Sequence, residues 1–430
     1  MKIILILLDG LGDRAYPELN HRTPLQAAAT PNLDHLAANG SSGLFHASYP
    51  GQCLPSEIAH FLLFGYDLAD FPGRGLLEAA GEGVPYEKED VLCLAHLCGI
   101  EWRDGIAVLK RGRDDITGRK EQLSRMYRLI DRFEKEQIKI RLEQTRRNDA
   151  VLVISGFASQ HISDSDPILQ GRPIAQIMPR DGFSSERAER TAKVLNDYLR
   201  YCHGILRDPI RNPYRDEIPA NFLVTQRCGK HRPQTPFQSL WGLRGAFIAS
   251  SSVYAGLAEE IGLDFIQAED TASPENDMRE RIEYAIADPD HDFLHVHTKL
   301  PDEISHKGVP EQKRDVIERL DLGLDELFKA MQHRDDILLA ITADHSTPSR
   351  SSLIHSGEPV PLLIAGPNVR RDNVRRFDEI ETAGGCLGML RGREMMAMLL
   401  NYANCSTLYS HRLGNVERLS VSLGYQPFRK

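Results

Sequence analysis

The chain opens on six consecutive apolar residues, Ile3 to Leu8, that stop at Asp9-Gly10. A run apolar at every position predicts a strand buried on both faces, with a carboxylate at its C-terminal end. The pattern recurs at Asp336-Ile-Leu-Leu-Ala-Ile-Thr-Ala-Asp344-His345, again closing on polar residues. Val151 to Ile154, before Ser155-Gly156, and Gly245 to Ala249 read as further buried strands. Helical periodicity is clearest over Lys120 to Gln144, Glu186 to Tyr201 and Gln312 to Gln332. Strands alternating with helices imply an α/β fold with a largely parallel central sheet flanked by helices. In such sheets functional side chains gather beyond the C-terminal strand ends, which is where Asp9 and Asp344-His345 stand.

The middle of the chain differs in character. It is rich in arginine and carries a charged stretch from Arg125 to Arg147, expected to be a solvated helix face. Short proline-containing segments follow, Ser163-Asp-Ser-Asp-Pro167 and Arg211-Asn-Pro-Tyr-Arg215. The expected organisation is a core formed by residues 1–88 and 238–430, with a smaller α+β domain inserted at 89–237. A chain of 430 residues, 41% hydrophobic and 26% charged, can bury a core of that size. The net charge of −9 argues against a nucleic-acid partner, yet arginine clusters inside an acidic envelope suit a small anionic substrate. Seven cysteines without CxxC spacing fit a reduced, cytoplasmic protein, with Cys53 a small buried hydrophobe. The opening apolar run is too short for a secretory signal, and no stretch approaches the roughly 20 apolar residues of a membrane span.

Five segments supply metal-ligand side chains. They hold Asp9, Ser56, Asp302 with His306, Asp344 with His345, and His355. Asp302 and His306 are spaced i, i+4, so one helical turn would put both on one face. Mixed Asp/His sets suit Zn²⁺ or Mn²⁺ better than Mg²⁺. A serine among such ligands has a chemical reason to be there, because metal contact lowers its pKa and aims it as a nucleophile. Taken singly, each is an ordinary strand-end or loop residue; their order along the chain is the signal.

That order, with its contexts, resembles the archaeal-type cofactor-independent phosphoglycerate mutases of the alkaline phosphatase superfamily. The resemblance runs through Leu7-Leu-Asp9-Gly-Leu-Gly-Asp13, Arg22 to Asp34, Pro55-Ser-Glu-Ile-Ala-His60 with Phe64-Gly-Tyr-Asp67, and Gly73 to Gly81. It continues in Ser163 to Pro167, Pro219-Ala-Asn221, Asp302 to His306, Thr342 to Pro348 and His355 to Pro361. It implies an alkaline-phosphatase-like core and two divalent ions: Mn²⁺ or Zn²⁺, with Mg²⁺ and Co²⁺ as alternatives. One ion would be held by Asp302, His306 and His355, the other by Asp9, Asp344, His345 and the Ser56 oxygen. It also implies that Ser56 takes the phosphoryl group of 3-phosphoglycerate and returns it to the 2-hydroxyl. The anionic substrate calls for arginines and polar partners, for which Arg74, His96, Arg111, Arg113, Asp164, Asp166 and Arg227 are the candidates.

Two stretches depart from the family pattern. Pro55-Ser56-Glu57 replaces Gly-Ser-Asp, and Ala255 stands where a lysine usually precedes Gly-Ile-Ala, with Lys230 and Lys299 the cations available to replace it. Three readings therefore stay open. The first is the mutase; the second is a metal-dependent phosphohydrolase or homoserine-kinase-like phosphotransferase acting on another small phosphoester. The third, ranked last because every expected ligand position is filled, is a non-catalytic binding or regulatory protein that retains a dead site.

Overall fold

The computed structural model describes residues 1–112, 116, 120–146 and 149–406. The chain forms two compact units, one of residues 1–71 with 234–430 and one of residues 72–233. The strands of the first unit begin with β1 (Lys2–Leu8) and β2 (Ser41–His46). The second unit holds β3 (Val91–Arg103), β4 (Ile106–Arg111), β5 (Arg132–Lys135), β6 (Ile138–Gln144), β7 (Asp149–Gly156) and β8 (Phe222–Lys230). The first unit resumes with β9 (Gly245–Ala249), β10 (Asp264–Gln267), β11 (Phe293–Thr298), β12 (Ile337–Thr342), β13 (Val360–Ala365) and β14 (Gly388–Arg391).

In the first unit eight strands form one sheet, in the order β10-β9-β11-β1-β12-β13-β2-β14. The first five are parallel, β13 runs antiparallel to both neighbours, and β14 is parallel to β2. Strand β1 lies between β11 and β12 and is buried from Ile3 through Leu8, as its unbroken apolar run requires. The C-terminal ends of these three adjacent parallel strands therefore share one edge. The expected α/β class with a mostly parallel sheet is what the chain adopts.

The second unit is an antiparallel sheet, β4-β3-β7-β6-β5, with β8 on β3, packed under the helix Glu186–Leu206. It begins at Pro72 rather than at residue 89, because the helix Arg74–Glu82 packs on β3 and β8. Gly73 permits that docking: a Cβ there would lie 2.5 Å from the Gly229 Cα.

Three expectations need correction. Only Lys120–Arg128 of the predicted Lys120 to Gln144 helix is helical; the rest is the hairpin of β5 and β6. There Ile138, Ile140 and Leu142 are buried every second residue, a strand period hidden among the charges. The helix expected over Gln312 to Gln332 is two, Pro310–Leu322 and Asp325–His333, separated at Gly323. A Cβ at Gly323 would meet the Glu275 carbonyl oxygen at 2.6 Å, so the backbone passes the neighbouring helix too closely for a side chain. Finally, Cys93 and Cys228 form a disulfide where a bulge brings β3 and β8 together with a Cα separation of 4.1 Å, and Cys53 is exposed. No helix among the described residues is long and apolar enough to cross a membrane.

Candidate metal centre and nucleophile

The side chains singled out in the first unit converge on the shared strand edge. Asp9 follows β1, Asp302 lies in the helix Leu300–Ser305 just past β11, and Asp344 and His345 follow β12. The three loops are tied together by backbone contacts. Asp9 N–H donates to the Thr298 carbonyl at 3.0 Å, and Gly10 N–H donates to Asp344 Oδ1 at 3.1 Å. Gly10 has φ +65°, and a Cβ there would sit 2.9 Å from the Asp302 Cα, so only glycine lets the loops close. The fully buried Lys313 donates to the carbonyls of Gly10 (2.8 Å), Gly12 (3.1 Å) and Thr347 (3.0 Å) and pairs with Asp13 at 3.2 Å.

Ser56 is the first residue of the helix Ser56–Leu63, after an extended Pro55. Its Oγ lies 3.0 Å from His345 Nε2 and 3.4 Å from Asp9 Oδ1. A helix N-terminus concentrates unpaired N–H groups and positive dipole, an environment suited to a phosphorylated oxygen. His60, one turn on, binds the Ser56 carbonyl oxygen through Nδ1 at 2.8 Å and fixes that turn.

Two donor sets have ligand atoms within 4.8 Å of one another: Asp9, Asp344 and His345, and Asp302, His345 and His355. His345 belongs to both. His306 and His355 each direct Nε2 at Asp302 Oδ1, at 3.3 and 3.5 Å. The residues fit divalent ions on three counts. His355 donates from Nδ1 to the Leu54 carbonyl at 2.7 Å, which leaves the Nε2 lone pair facing the carboxylate. His345 Nδ1 meets Thr347 Oγ1 at 3.1 Å while that hydroxyl donates to Asp302 at 2.7 Å, so His345 Nε2 is likewise bare. Asp344 Oδ2 is buried and accepts no hydrogen bond among the described residues.

The charges are arranged unevenly. Burial and the neighbouring Asp9 push the Asp344 carboxyl well above its ordinary range. Burial acts the same way on Asp9, but Lys299, His297 and His345 outweigh it and hold that carboxyl well below. Asp302 is also held low against burial, by its contacts with His306 and His355 and by Lys299. Burial brings His345 down to about 3, and His60 likewise, keeping both imidazoles neutral at pH 7.

Of the substrate candidates, four come together in the second unit. His96 Nε2 lies 3.4 Å from Asp166 Oδ2, and Asp164 Oδ1 accepts from the Arg227 N–H at 2.7 Å. Gln226, absent from the sequence candidates, donates to Asp166 at 3.2 Å. Arg227 has φ +53° in the bulge opposite Cys93. Arg74 pairs with Glu78 at 2.6 Å on its own helix, and Arg111 stands opposite Gly99 at the exposed end of β4. Arg113 lies outside the described residues. Of the two lysines considered beside Ala255, Lys230 pairs with Glu89, whereas Lys299 lies 3.3 Å from Asp302 and 3.7 Å from Asp9.

Sequence reasoning missed Tyr254, His297, Thr347, Lys313 and His60. Tyr254 and His297 both reach Asp9 Oδ2, at 2.9 and 3.2 Å. A visible signal existed for one of them: His297, together with His295, lies inside a fully buried parallel strand, and imidazole there needs a reason.

Residues 1–402 match the model of the metalloenzyme superfamily. The chain is 41% identical, over 96% of both chains, to 2,3-bisphosphoglycerate-independent phosphoglycerate mutase 2 of Methanocaldococcus jannaschii. It is 34% identical to the 2,3-bisphosphoglycerate-independent phosphoglycerate mutase of Methanopyrus kandleri, over 94% of this chain and 96% of that one. Among solved structures, a Pyrococcus horikoshii protein superposes with a TM-score of 0.72 at 28% identity, covering 94% of this chain and 97% of its own. The cofactor-independent phosphoglycerate mutase of Thermoplasma acidophilum superposes with a TM-score of 0.62 at 30% identity, covering 94% and 100%. The chain belongs to the metalloenzyme superfamily and, within it, to the family of 2,3-bisphosphoglycerate-independent phosphoglycerate mutases.

Proposed function

We propose that the chain is an isomerase that interconverts 2- and 3-phosphoglycerate, with Ser56 carrying the phosphoryl group between the two positions. One observation carries this reading: the Ser56 hydroxyl begins a helix and lies 3.0 Å from His345, the residue common to both donor sets. Asp9, Asp344, His345 and Ser56 would hold one divalent ion, and Asp302, His306 and His355 the other. Manganese or zinc suits these imidazole-containing sets, with cobalt or magnesium as alternatives. When bound, such ions neutralise phosphoryl charge and lower the pKa of a hydroxyl that they contact.

In the first half-reaction Ser56 Oγ attacks phosphorus and gives up its proton. The bond from phosphorus to the glycerate 3-oxygen breaks, and that oxygen is protonated. In the second half the 2-hydroxyl attacks the phosphoserine, losing its proton as Oγ leaves and regains one. Between the halves the glycerate must turn without leaving, and water must be kept from the phosphoserine. We assign glycerate recognition to His96, Asp164, Asp166 and Arg227, with Arg74, Arg111 and Arg113 as further candidates. A small phosphorylated metabolite as substrate is also our ground for a cytoplasmic location.

The test is to mix enzyme, Mn²⁺ and 3-phosphoglycerate, quench in acid, and map phosphopeptides. Phosphate on Ser56, together with 2-phosphoglycerate that disappears in Ser56→Ala, is the expected result. Product formation that survives Ser56→Ala would remove the serine from the mechanism. Release of inorganic phosphate in place of 2-phosphoglycerate would favour the phosphohydrolase.

A further inference from the structure

Asp9 uses its two carboxylate oxygens differently. Oδ1 faces the nucleophile, with Ser56 Oγ and His345 Nε2 each 3.4 Å away. Oδ2 is turned into the protein. The Tyr254 hydroxyl donates to it at 2.9 Å, His297 Nε2 lies at 3.2 Å, and the Lys299 ammonium stands 3.7 Å away. A carboxylate oxygen offers two lone pairs, so the tyrosine and histidine together satisfy Oδ2. Both donors are held rigidly. Each is 1% exposed, their rings are 4.2 Å apart, and Phe247 packs 5.3 Å from the Tyr254 ring.

We propose that Tyr254 and His297 are positioning residues that set metal preference: by occupying Asp9 Oδ2 they restrict Asp9 to single-oxygen ligation through Oδ1. The proposal rests on the reading that Asp9, Asp344 and His345 hold a divalent ion. With one oxygen from each carboxylate, His345 Nε2 and Ser56 Oγ, the protein offers a four-member set of mixed nitrogen and oxygen. Zinc is satisfied by such a set, whereas manganese favours six oxygen-rich positions. Freeing Oδ2 lets Asp9 chelate through both oxygens and moves the site toward the ion of higher coordination number. Packing does not explain the tyrosine, since phenylalanine would fill the same buried space without a hydroxyl that needs a partner.

The test uses the full, metal-stripped chain and titrates Zn²⁺ and Mn²⁺ in parallel. Tyr254→Phe and His297→Leu each remove a donor, and His297→Gln retains one. The zinc-to-manganese affinity ratio at the Asp9 group is expected to fall about tenfold in the first two and to recover in the third. The ratio at the group of Asp302, His306 and His355 stays constant. Visible absorption of bound Co²⁺ reports the same change, weakening as tetrahedral geometry gives way to six-coordinate. An equal fall for both metals in Tyr254→Phe and His297→Leu would show a merely structural role and overturn the proposal. So would a ratio left unchanged in both variants when the wild type binds both ions. If wild type binds no divalent ion at the Asp9 group, the reading of the metal centre falls along with the role of Tyr254 and His297.

Discussion

Lys313 offers a sharp test of how the loops at Gly10, Gly12 and Thr347 are held. Replacing it with methionine keeps most of the side-chain volume but removes an ammonium that serves three carbonyls and the Asp13 carboxylate. Removing one partner of a buried ion pair costs ~3–5 kcal/mol, because the remaining charge is stranded. Asp13 keeps other donors, the Tyr16 hydroxyl at 2.7 Å and the Ser349 hydroxyl at 2.6 Å. The loss should therefore sit near the lower end, about 3 kcal/mol, a large part of a typical domain's stability. The chain has two tryptophans, Trp102 in the second unit and Trp241 in the first. In a Trp102→Phe background, Trp241 fluorescence during urea unfolding reports the first unit alone. Adding Asp13→Asn to Lys313→Met removes the stranded charge and should restore at least ~1 kcal/mol. A loss under about 1 kcal/mol, or no recovery in the double variant, would refute this role of Lys313.

Gly10→Ala forces a Cβ to 2.9 Å from the Asp302 Cα at a φ of +65°; strain and overpacking should destabilise the first unit by about 3 kcal/mol or more in the same assay. Near-wild-type stability would mean that the loops are not in contact there. Thr347→Val removes the hydroxyl between His345 and Asp302, and divalent-ion affinity measured by competition with a chelating dye should drop roughly tenfold. An unchanged affinity would show that the His345 tautomer is set elsewhere. Burial raises the Glu379 carboxyl from 4.5 to about 7, so the folded chain holds a proton that the unfolded chain releases. Stability from this group is full below pH 4.5 and declines as pH rises toward 7. Glu379→Gln should flatten the fall in urea midpoint across that interval, and an unaltered slope would place the proton on another group.

The sheet and its polar strand ends were legible because burial on both faces leaves an unmistakable run, as in Ile3 to Leu8. The convergence of Asp9, Asp302 and Asp344 on one edge follows from β1 lying between β11 and β12. The order β11-β1-β12 itself is nonlocal, and no local pattern encodes it. The hairpin of β5 and β6 reads as helix in the sequence because Lys, Arg and Glu dominate it, masking the two-residue period of Ile138, Ile140 and Leu142. The supporting residues were hidden for a different reason. Tyr254 lies 245 positions from Asp9 in the chain, and Lys313 reads as one more charge on an amphipathic helix until its surroundings are seen. Family order pointed to the candidate ligands; only packing reveals what holds them.

Phosphorus NMR of the Mn²⁺-loaded enzyme with 3-phosphoglycerate bears most directly on transfer through Ser56. The account predicts a growing 2-phosphoglycerate resonance that settles into equilibrium with the substrate, without accumulation of inorganic phosphate, and a silent Ser56→Ala variant. Inorganic phosphate as the only new resonance, with no 2-phosphoglycerate under any divalent ion, would contradict it.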